Sequence, residues 1–219
     1  MMHRLTLQNI AMKKLFLIPV AAAFFLFGSA AQAQVDQSNP QMLIKIATAQ
    51  VLNEVRTQAL KPKDIGRLTD IVNRDILPYV DFRRTTQIVM GRNWRTATPD
   101  QQQEVIKQFK ILLIRTYAGA LAQLKPDQQI QYPPFRADPG ETDVVVRTLA
   151  QTNGQPNQID YRLYKSPQGW RVYDLNVLGT WLIQTYQQQF NEKIQQSGVD
   201  GLINFLTERN QQLAGGKAS

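Results

Sequence analysis

The stretch NWRTATPDQQQEVIKQFKILLIRTYAGAL (residues 93–121) predicts one long helix, around which the rest of the chain must be arranged. Thr98 and Gln101 have the spacing of a capping box, and Pro99 suits the first position of a helix. Apolar side chains follow helical spacing along one side, at Ile106, Phe109, Leu113, Tyr117, Ala120 and Leu124. The apolar side also includes Ile111, Leu112 and Ile114, so it covers more than half of the helix circumference.

A helix that is apolar on so much of its surface has two explanations. It is either a central core helix, which the pattern alone favours, or a helix with one face on the core and another lining an apolar cavity. A membrane span is excluded, because Lys107, Lys110 and Arg115 interrupt the apolar residues.

Shorter amphipathic helices are expected before the long helix. Asn39 can cap a helix that Pro40 begins, and residues 65–76 form a second helix that Pro78 ends. Asp81 can then cap a short third helix. The first half of the chain is therefore predicted to be helical.

The chain beyond the long helix alternates apolar and polar residues, a pattern that predicts strands. A first strand over residues 130–136 is interrupted by two prolines, and a stronger strand covers residues 142–151. Residues 158–165 and 170–179 alternate on either side of the turn sequence SPQG, which predicts a hairpin. Within the hairpin we expect two shared faces, one of Ile159, Tyr161 and Leu163 and one of Tyr173, Leu175 and Val177.

Two more helices close the chain. Thr180 can cap the first, and the second starts at Asp200 after a break at Ser197 and Gly198. Helices, an antiparallel meander and further helices in this order predict an α+β fold.

The N-terminus has the features of a secretory signal. Residues 12–33 (MKKLFLIPVAAAFFLFGSAAQA) combine a basic start, an apolar middle and a small-residue cleavage site ending at Ala33. We expect Met12 as a possible true start and a single mature domain over residues 34–213, with residues 214–219 as a disordered tail. The alternative is an uncleaved membrane anchor.

The composition limits the chemistry. The chain has no cysteine, and its one histidine, His3, lies within the part that the signal would remove. The mature chain therefore lacks the usual ligands of zinc, haem or copper and any Ser–His or Cys–His pair. Removing Arg4, Lys13 and Lys14 leaves 22 basic against 17 acidic residues, a net charge of +5, which is too low for a typical nucleic-acid binder.

Three stretches resemble a known family. They are ILPYVDF (residues 76–82), MGRNWRTATPDQQQEVIKQFKILLIRTYA (residues 90–118) and DYRLYKSPQGWRVYDLNVLGTWLIQTYQQQF (residues 160–190). In this order, behind a signal without a lipoprotein cysteine, they resemble the periplasmic phospholipid-transport family MlaC, also called the toluene-tolerance auxiliary component. The resemblance covers about residues 38–212.

The resemblance implies a curved, mostly antiparallel sheet packed with helices around an internal apolar cavity, similar to the nuclear-transport-factor-like fold. It implies a Gram-negative periplasmic carrier whose cargo is a bound phospholipid. It also implies shuttling between an outer-membrane lipoprotein complex and an inner-membrane ATP-driven complex, which maintains outer-membrane lipid asymmetry. We expect a monomer without cofactor, metal, nucleic acid or catalytic residue.

The site predictions follow from the long helix and the hairpin. We expect a cavity between the helix and the concave sheet face, lined by Val89, Leu113, Tyr117, Leu121, Tyr161, Leu163, Tyr173, Leu175 and Val177. For each of these residues the alternative is ordinary core packing. Partner docking or head-group contact is expected from Arg83, Arg84, Arg92 and Arg95, whose alternative is a solvated basic face.

Two other classes of function stay open from the sequence. An enzyme on this fold would need a buried acid or base in the cavity, for which the candidates are Asp81, Asp143, Asp160 and Asp174. A protein-binding module would use an exposed strand edge and basic loops.

Overall fold

The first helices begin where the capping residues predict. The structure, a computed structural model, describes residues 39–58, 60–61, 64–121, 124–125, 127–152, 155–177 and 179–215. Helix α1 (Pro40–Thr57) starts after Asn39, whose side chain accepts a hydrogen bond from the Met42 N–H at 3.0 Å. The predicted signal, its cleavage site and the end of the predicted tail lie outside the described residues.

The second helix changes its hydrogen bonding along its length. Helix α2 (Ile65–Ile71) continues into a π-helical turn (Val72–Ile76) and then a 3-10 turn (Leu77–Tyr79). Pro78 lies in this last turn, at the point where the sequence predicts the end of the helix. Helix α3 (Phe82–Met90) follows, and the Asp81 side chain caps it by accepting from the Arg84 N–H at 2.9 Å.

The long helix α4 (Pro99–Leu121) has the predicted capping box. The Gln101 N–H donates to the Thr98 hydroxyl at 3.2 Å, and the Thr98 N–H donates to the Gln101 side chain at 3.0 Å. The buried residues of α4 are Val105, Gln108, Phe109, Leu112, Ile114 and Ala118. Of the line predicted from spacing, Phe109 is fully buried, whereas Tyr117 and Ala120 are exposed.

The strands form one antiparallel sheet in sequence order. They are β1 (Ile130–Gln131), β2 (Asp143–Thr152), β3 (Gln155–Ser166), β4 (Gly169–Val177) and β5 (Thr180–Trp181). The predicted first strand is reduced to two residues, because the two prolines that follow cannot donate to a ladder. Because helices precede and follow the sheet along the chain, the α+β prediction is confirmed.

The last helix, α5 (Leu182–Ala214), is interrupted at Ser197 and Gly198 as predicted, and Gly198 has a φ of +70°. Its N-cap prediction was wrong, because Thr180 pairs with Val177 in β5 and the helix starts after Trp181. None of the described helices is both long enough and apolar enough to cross a membrane.

A β-bulge decides which way the β4 side chains point. Val172 lies opposite Leu163, and Leu175 lies opposite Tyr161, so these four residues share the face of the sheet on which α1 packs. We call this the inner face and its opposite the outer face. Tyr173 is the extra residue of the bulge, and its hydroxyl donates to Asp143 at 2.9 Å on the outer face. The predicted shared face of Tyr173 with Leu175 was therefore wrong.

The buried apolar residues form three separate clusters. The first joins α3, α4 and α5 around Phe109, whose ring packs edge-on against Phe190 at 4.9 Å and Tyr186 at 5.0 Å between centroids. The second joins α1 to the inner face, and the third joins α2 to the C-terminal half of α4. A domain of this size usually has one continuous core, so the separation of these three clusters requires an explanation.

Candidate functional site

The helices and the sheet form a closed ring. Helix α1 packs on the inner face and contacts the π-helical turn that continues α2. Helix α2 packs on α4, and α4 packs on α3 and α5. Both α3 and α5 contact β4, which returns to the sheet. Helix α4 therefore lies across the ring from the sheet and makes its main contacts with other helices. The cavity that the sequence predicts would lie between α4 on one side and the inner face on the other.

The inner face is closed at one end and accessible at the other. Under α1, Val146 and Leu163 are completely buried against Leu43. At the far end the side chains on the same face remain only partly buried, and these are Ile159, Tyr161, Leu175 and Val177. This end of the inner face is therefore less completely covered than the end under α1.

Tyr161 is the most strongly desolvated of these partly buried residues. Burial raises the pKa of its phenol to about 12, with smaller effects from a bond to Thr148 and from nearby Tyr132. Its side chain nevertheless keeps accessible surface.

Helix α4 presents apolar side chains on its own side of the ring. Leu113 is partly buried beside the first cluster and Leu121 beside the third. Tyr117 is 38% exposed. Burial raises the pKa of the Tyr186 phenol, and the adjacent Tyr117 raises it further, so the two phenols are neighbours.

The remaining predicted lining residues occupy other positions. Val89 has no accessible surface and lies in the first cluster, on α3. Leu163 is equally buried at the closed end of the inner face. Tyr173 lies on the outer face, as described above.

Sequence reasoning missed a group of hydroxyls near Tyr161. The Tyr132 hydroxyl is hydrogen-bonded to Thr48 of α1, and the Lys45 ammonium lies 5.3 Å from the centre of the Tyr132 ring. Thr148 occupies the inner face of β2, in line with Val144 and Val146. Alternation along β2 places Thr148 on this face, but no sequence pattern joins it to α1.

The four predicted basic residues do not form one patch. The Arg83 guanidinium lies 5.1 Å from the Trp94 ring, whereas Arg84 lies 4.0 Å from the Tyr164 ring and 5.0 Å from the Tyr173 ring. Arg92 and Arg95 are exposed on and beside the 3-10 turn Gly91–Trp94. Arg84 thus belongs to the outer face of the sheet.

The candidate carboxylates are engaged away from the inner face. Asp160 accepts from the Arg147 Nε at 2.9 Å, and Asp174 accepts from Arg162 at 3.2 Å and from the Ile183 N–H at 3.0 Å. Burial raises the pKa of Asp174.

Asp81 caps α3 and accepts from the Tyr164 hydroxyl, and Asp143 accepts from Tyr173. Throughout the part of the chain that the structure describes, no three His, Cys, Asp or Glu side chains are placed to hold a metal ion.

Comparison with known proteins agrees with this arrangement. The sequence profile of the MlaC protein family matches residues 45–208. The chain belongs to the MlaC family. It is 27% identical to the toluene tolerance protein ttg2D of Pseudomonas putida over 186 residues, which cover 84% of this chain and 83% of that protein.

Two further MlaC-like proteins extend the comparison. The chain is 25% identical to the intermembrane phospholipid transport system binding protein MlaC of Haemophilus influenzae over 179 residues, 80% of this chain and 83% of that protein. A phospholipid-binding protein from Ralstonia solanacearum, solved in complex with a phospholipid, superposes with a TM-score of 0.77 and 48% sequence identity. That superposition covers 81% of this chain and 99% of the other.

Proposed function

We propose that the protein is a periplasmic carrier that encloses the acyl chains of a phospholipid between α4 and the inner face of the sheet. The observation that carries the proposal is the end of the inner face away from α1, where the apolar residues Tyr161, Leu175 and Val177 share one face and remain only partly buried. The phospholipid complex of the 48% identical Ralstonia solanacearum protein supports the same assignment.

The physical basis is the transfer of hydrocarbon out of water. Each methylene group moved into an apolar site contributes roughly 0.8 kcal/mol, so a chain of about sixteen carbons carries on the order of 12 kcal/mol. A carrier that encloses the chains removes most of this barrier to passage through water. It needs an apolar wall and no covalent chemistry, so we assign no catalytic residue and no cofactor.

The proposed wall consists of residues that border the ring's interior with accessible surface. On the sheet these are Tyr161, Leu175 and Val177, and on α4 they are Leu113, Tyr117 and Leu121. The predicted residues Val89 and Leu163 would support this wall from behind, since both are fully buried in adjoining clusters. Tyr173 would lie outside it.

Exchange with membranes requires docking. We propose that an outer-membrane lipoprotein complex and an inner-membrane ATP-driven complex load and unload the carrier, after export and cleavage behind Ala33. Arg83, Arg92 and Arg95 are candidates for contact with these complexes or with the lipid head group. Exposed guanidinium groups suit both roles, because they attract carboxylates and phosphates at long range.

A transfer assay tests the proposal. Donor vesicles with a fluorescent phospholipid are mixed with the protein and unlabelled acceptor vesicles, and the label in the acceptors is followed over time. We expect transfer to rise in proportion to protein concentration and to be lost in Leu113→Glu, which places a carboxylate in the proposed wall. Transfer no faster than in buffer would contradict the carrier function.

A further inference from the structure

The outer face of the sheet carries an unusual row of side chains. Along β3 it presents Asp160, Arg162 and Tyr164, which lie opposite Arg147, Val145 and Asp143 of β2. No function assigned above uses this face. Much of it is open to solvent, since Val145 is 46% exposed and the Arg147 side chain is 53% exposed.

Two arginines of this face lie over aromatic rings. The Arg162 guanidinium lies 3.8 Å from the Trp181 ring, and the Arg84 guanidinium lies between Tyr164 and Tyr173. The buried Nε of Arg84 has no hydrogen-bond acceptor among the described residues, which fits its position over the π face of Tyr164. Stacking of this kind fixes side chains that otherwise lose considerable rotamer freedom on binding.

Buried carboxylates hold two arginines of this face, Arg162 and Arg147, from below. The Asp174 side chain has no exposed surface and bonds to Arg162, whose own side chain is 37% exposed. Asp160 holds Arg147 in the same way. Asp160 and Asp174 therefore lie toward the sheet, and Arg147 and Arg162 present positive charge to solvent above them. Asp143 is the acidic side chain of this face that is itself half-exposed.

We infer that this outer face, centred on Val145 and Arg162, is a docking surface for a protein partner that presents carboxylates. Tyrosine, tryptophan and arginine are the residue types that dominate binding energy at protein interfaces, and here they are already ordered. An anionic bilayer fits less well, because the half-exposed Asp143 lies among the arginines and would repel a uniformly negative surface. A mixed pattern of fixed charges instead selects a partner with a matching pattern.

This inference rests on the proposed function for the identity of the partner, which would belong to one of the two membrane complexes. It differs from that proposal in placing the contact on the sheet, whereas Arg83, Arg92 and Arg95 lie around α3 and the turn after it. Arg84, which the sequence grouped with these three residues, lies on the outer face.

Val145 permits a matched pair of variants, because it is exposed and makes no bond that holds the arginines. Val145→Glu and Val145→Lys place side chains of similar size and opposite charge at the centre of the face. Lys107→Glu, on the exposed side of α4, is the control for net charge, which it lowers by two units where Val145→Glu lowers it by one. Each variant is titrated against both membrane complexes purified in detergent, and against vesicles that contain phosphatidylglycerol.

We expect Val145→Glu to weaken binding to at least one complex about tenfold or more at low salt, and Val145→Lys and Lys107→Glu to bind as the parent does. Equal weakening by both Val145 variants, or weakening by neither, would overturn the inference. So would loss of vesicle binding with unchanged binding to both complexes. The phospholipid content of each variant is measured in parallel, and its absence from the parent protein would contradict the carrier function without affecting the docking result.

Discussion

Phe109 and Leu113 lie one turn apart on α4 and provide a direct contrast between a core position and a proposed cavity position. Phe109 has no accessible surface, and its ring contacts three other aromatic rings at centroid distances of 4.9, 5.0 and 5.7 Å. We expect Phe109→Ala to lower the free energy of unfolding by about 3–5 kcal/mol. At roughly 2–4 °C per kcal/mol for a domain of this length, the melting temperature should fall on the order of 10 °C.

Leu113→Glu should behave in the opposite way. Leu113 keeps accessible surface, so the carboxylate can turn toward water in an empty cavity and the melting temperature should change by only a few degrees. With an acyl chain in place the carboxylate would be buried without a partner, at a cost of about 3 kcal/mol or more, which is roughly a hundredfold loss of lipid affinity. Leu113→Met, which preserves volume and polarity, is the control and should retain lipid.

The assay combines thermal unfolding followed by circular dichroism with phospholipid extraction and mass spectrometry of the same samples. If Leu113→Glu unfolds, or loses as much stability as Phe109→Ala, then α4 faces solid core at this position. The reasoning about a cavity would then be refuted.

Three further predictions concern separate features. Thr98→Ala removes one half of the α4 capping box and should lower the free energy of unfolding by about 1 kcal/mol in chemical denaturation, with Thr98→Ser as the control. Because burial raises the pKa of Tyr161 from about 10 to about 12, its phenol favours folding below pH 10 and this contribution is lost as the pH rises from about 10 to 12. An ultraviolet titration of Tyr161→Phe should therefore lack one late-ionising phenol, and loss of an ordinary one instead would contradict the internal position. Intact mass of protein from the periplasmic fraction should correspond to a chain that starts at Gln34, and retention of residues 12–33 would contradict cleavage after Ala33.

Local signals predicted most of the helix boundaries correctly. Asn39, Asp81 and Thr98 each cap a helix in the structure through the hydrogen bond that their spacing implies. These bonds join residues three positions apart, so the sequence contains all the information that they need. The prediction from local signals failed at Thr180, because this residue pairs with β4 as part of a strand and α5 therefore begins two residues after it.

The faces of the hairpin could be predicted only in part. Strict alternation placed Tyr161 and Leu163 together correctly, but it failed for Tyr173, where one extra residue in β4 reverses the direction of the side chain. The bulge is set by pairing with β3 and by the bond from Tyr173 to Asp143, both of which are long-range. No periodicity within β4 reveals it.

The environment of each α4 residue was harder still to infer from spacing. The apolar width of α4 indicated two environments for this helix, but did not tell which residues meet which one. Val105 and Leu112, outside the predicted line, are buried against α3 and α5, while Tyr117, inside it, is 38% exposed. The distinction depends on how α5 and α2 pack on either side of α4, which is a property of the whole ring.

Native mass spectrometry of the protein isolated from periplasm, without detergent at any step, tests the central claim most directly. The account predicts a protein species with a bound mass that is released on activation and identified by fragmentation as a phospholipid, and it predicts that Leu113→Glu lacks this mass while remaining folded. A parent protein that carries no lipid under gentle ionisation, and takes up none after incubation with phospholipid vesicles, would contradict the claim.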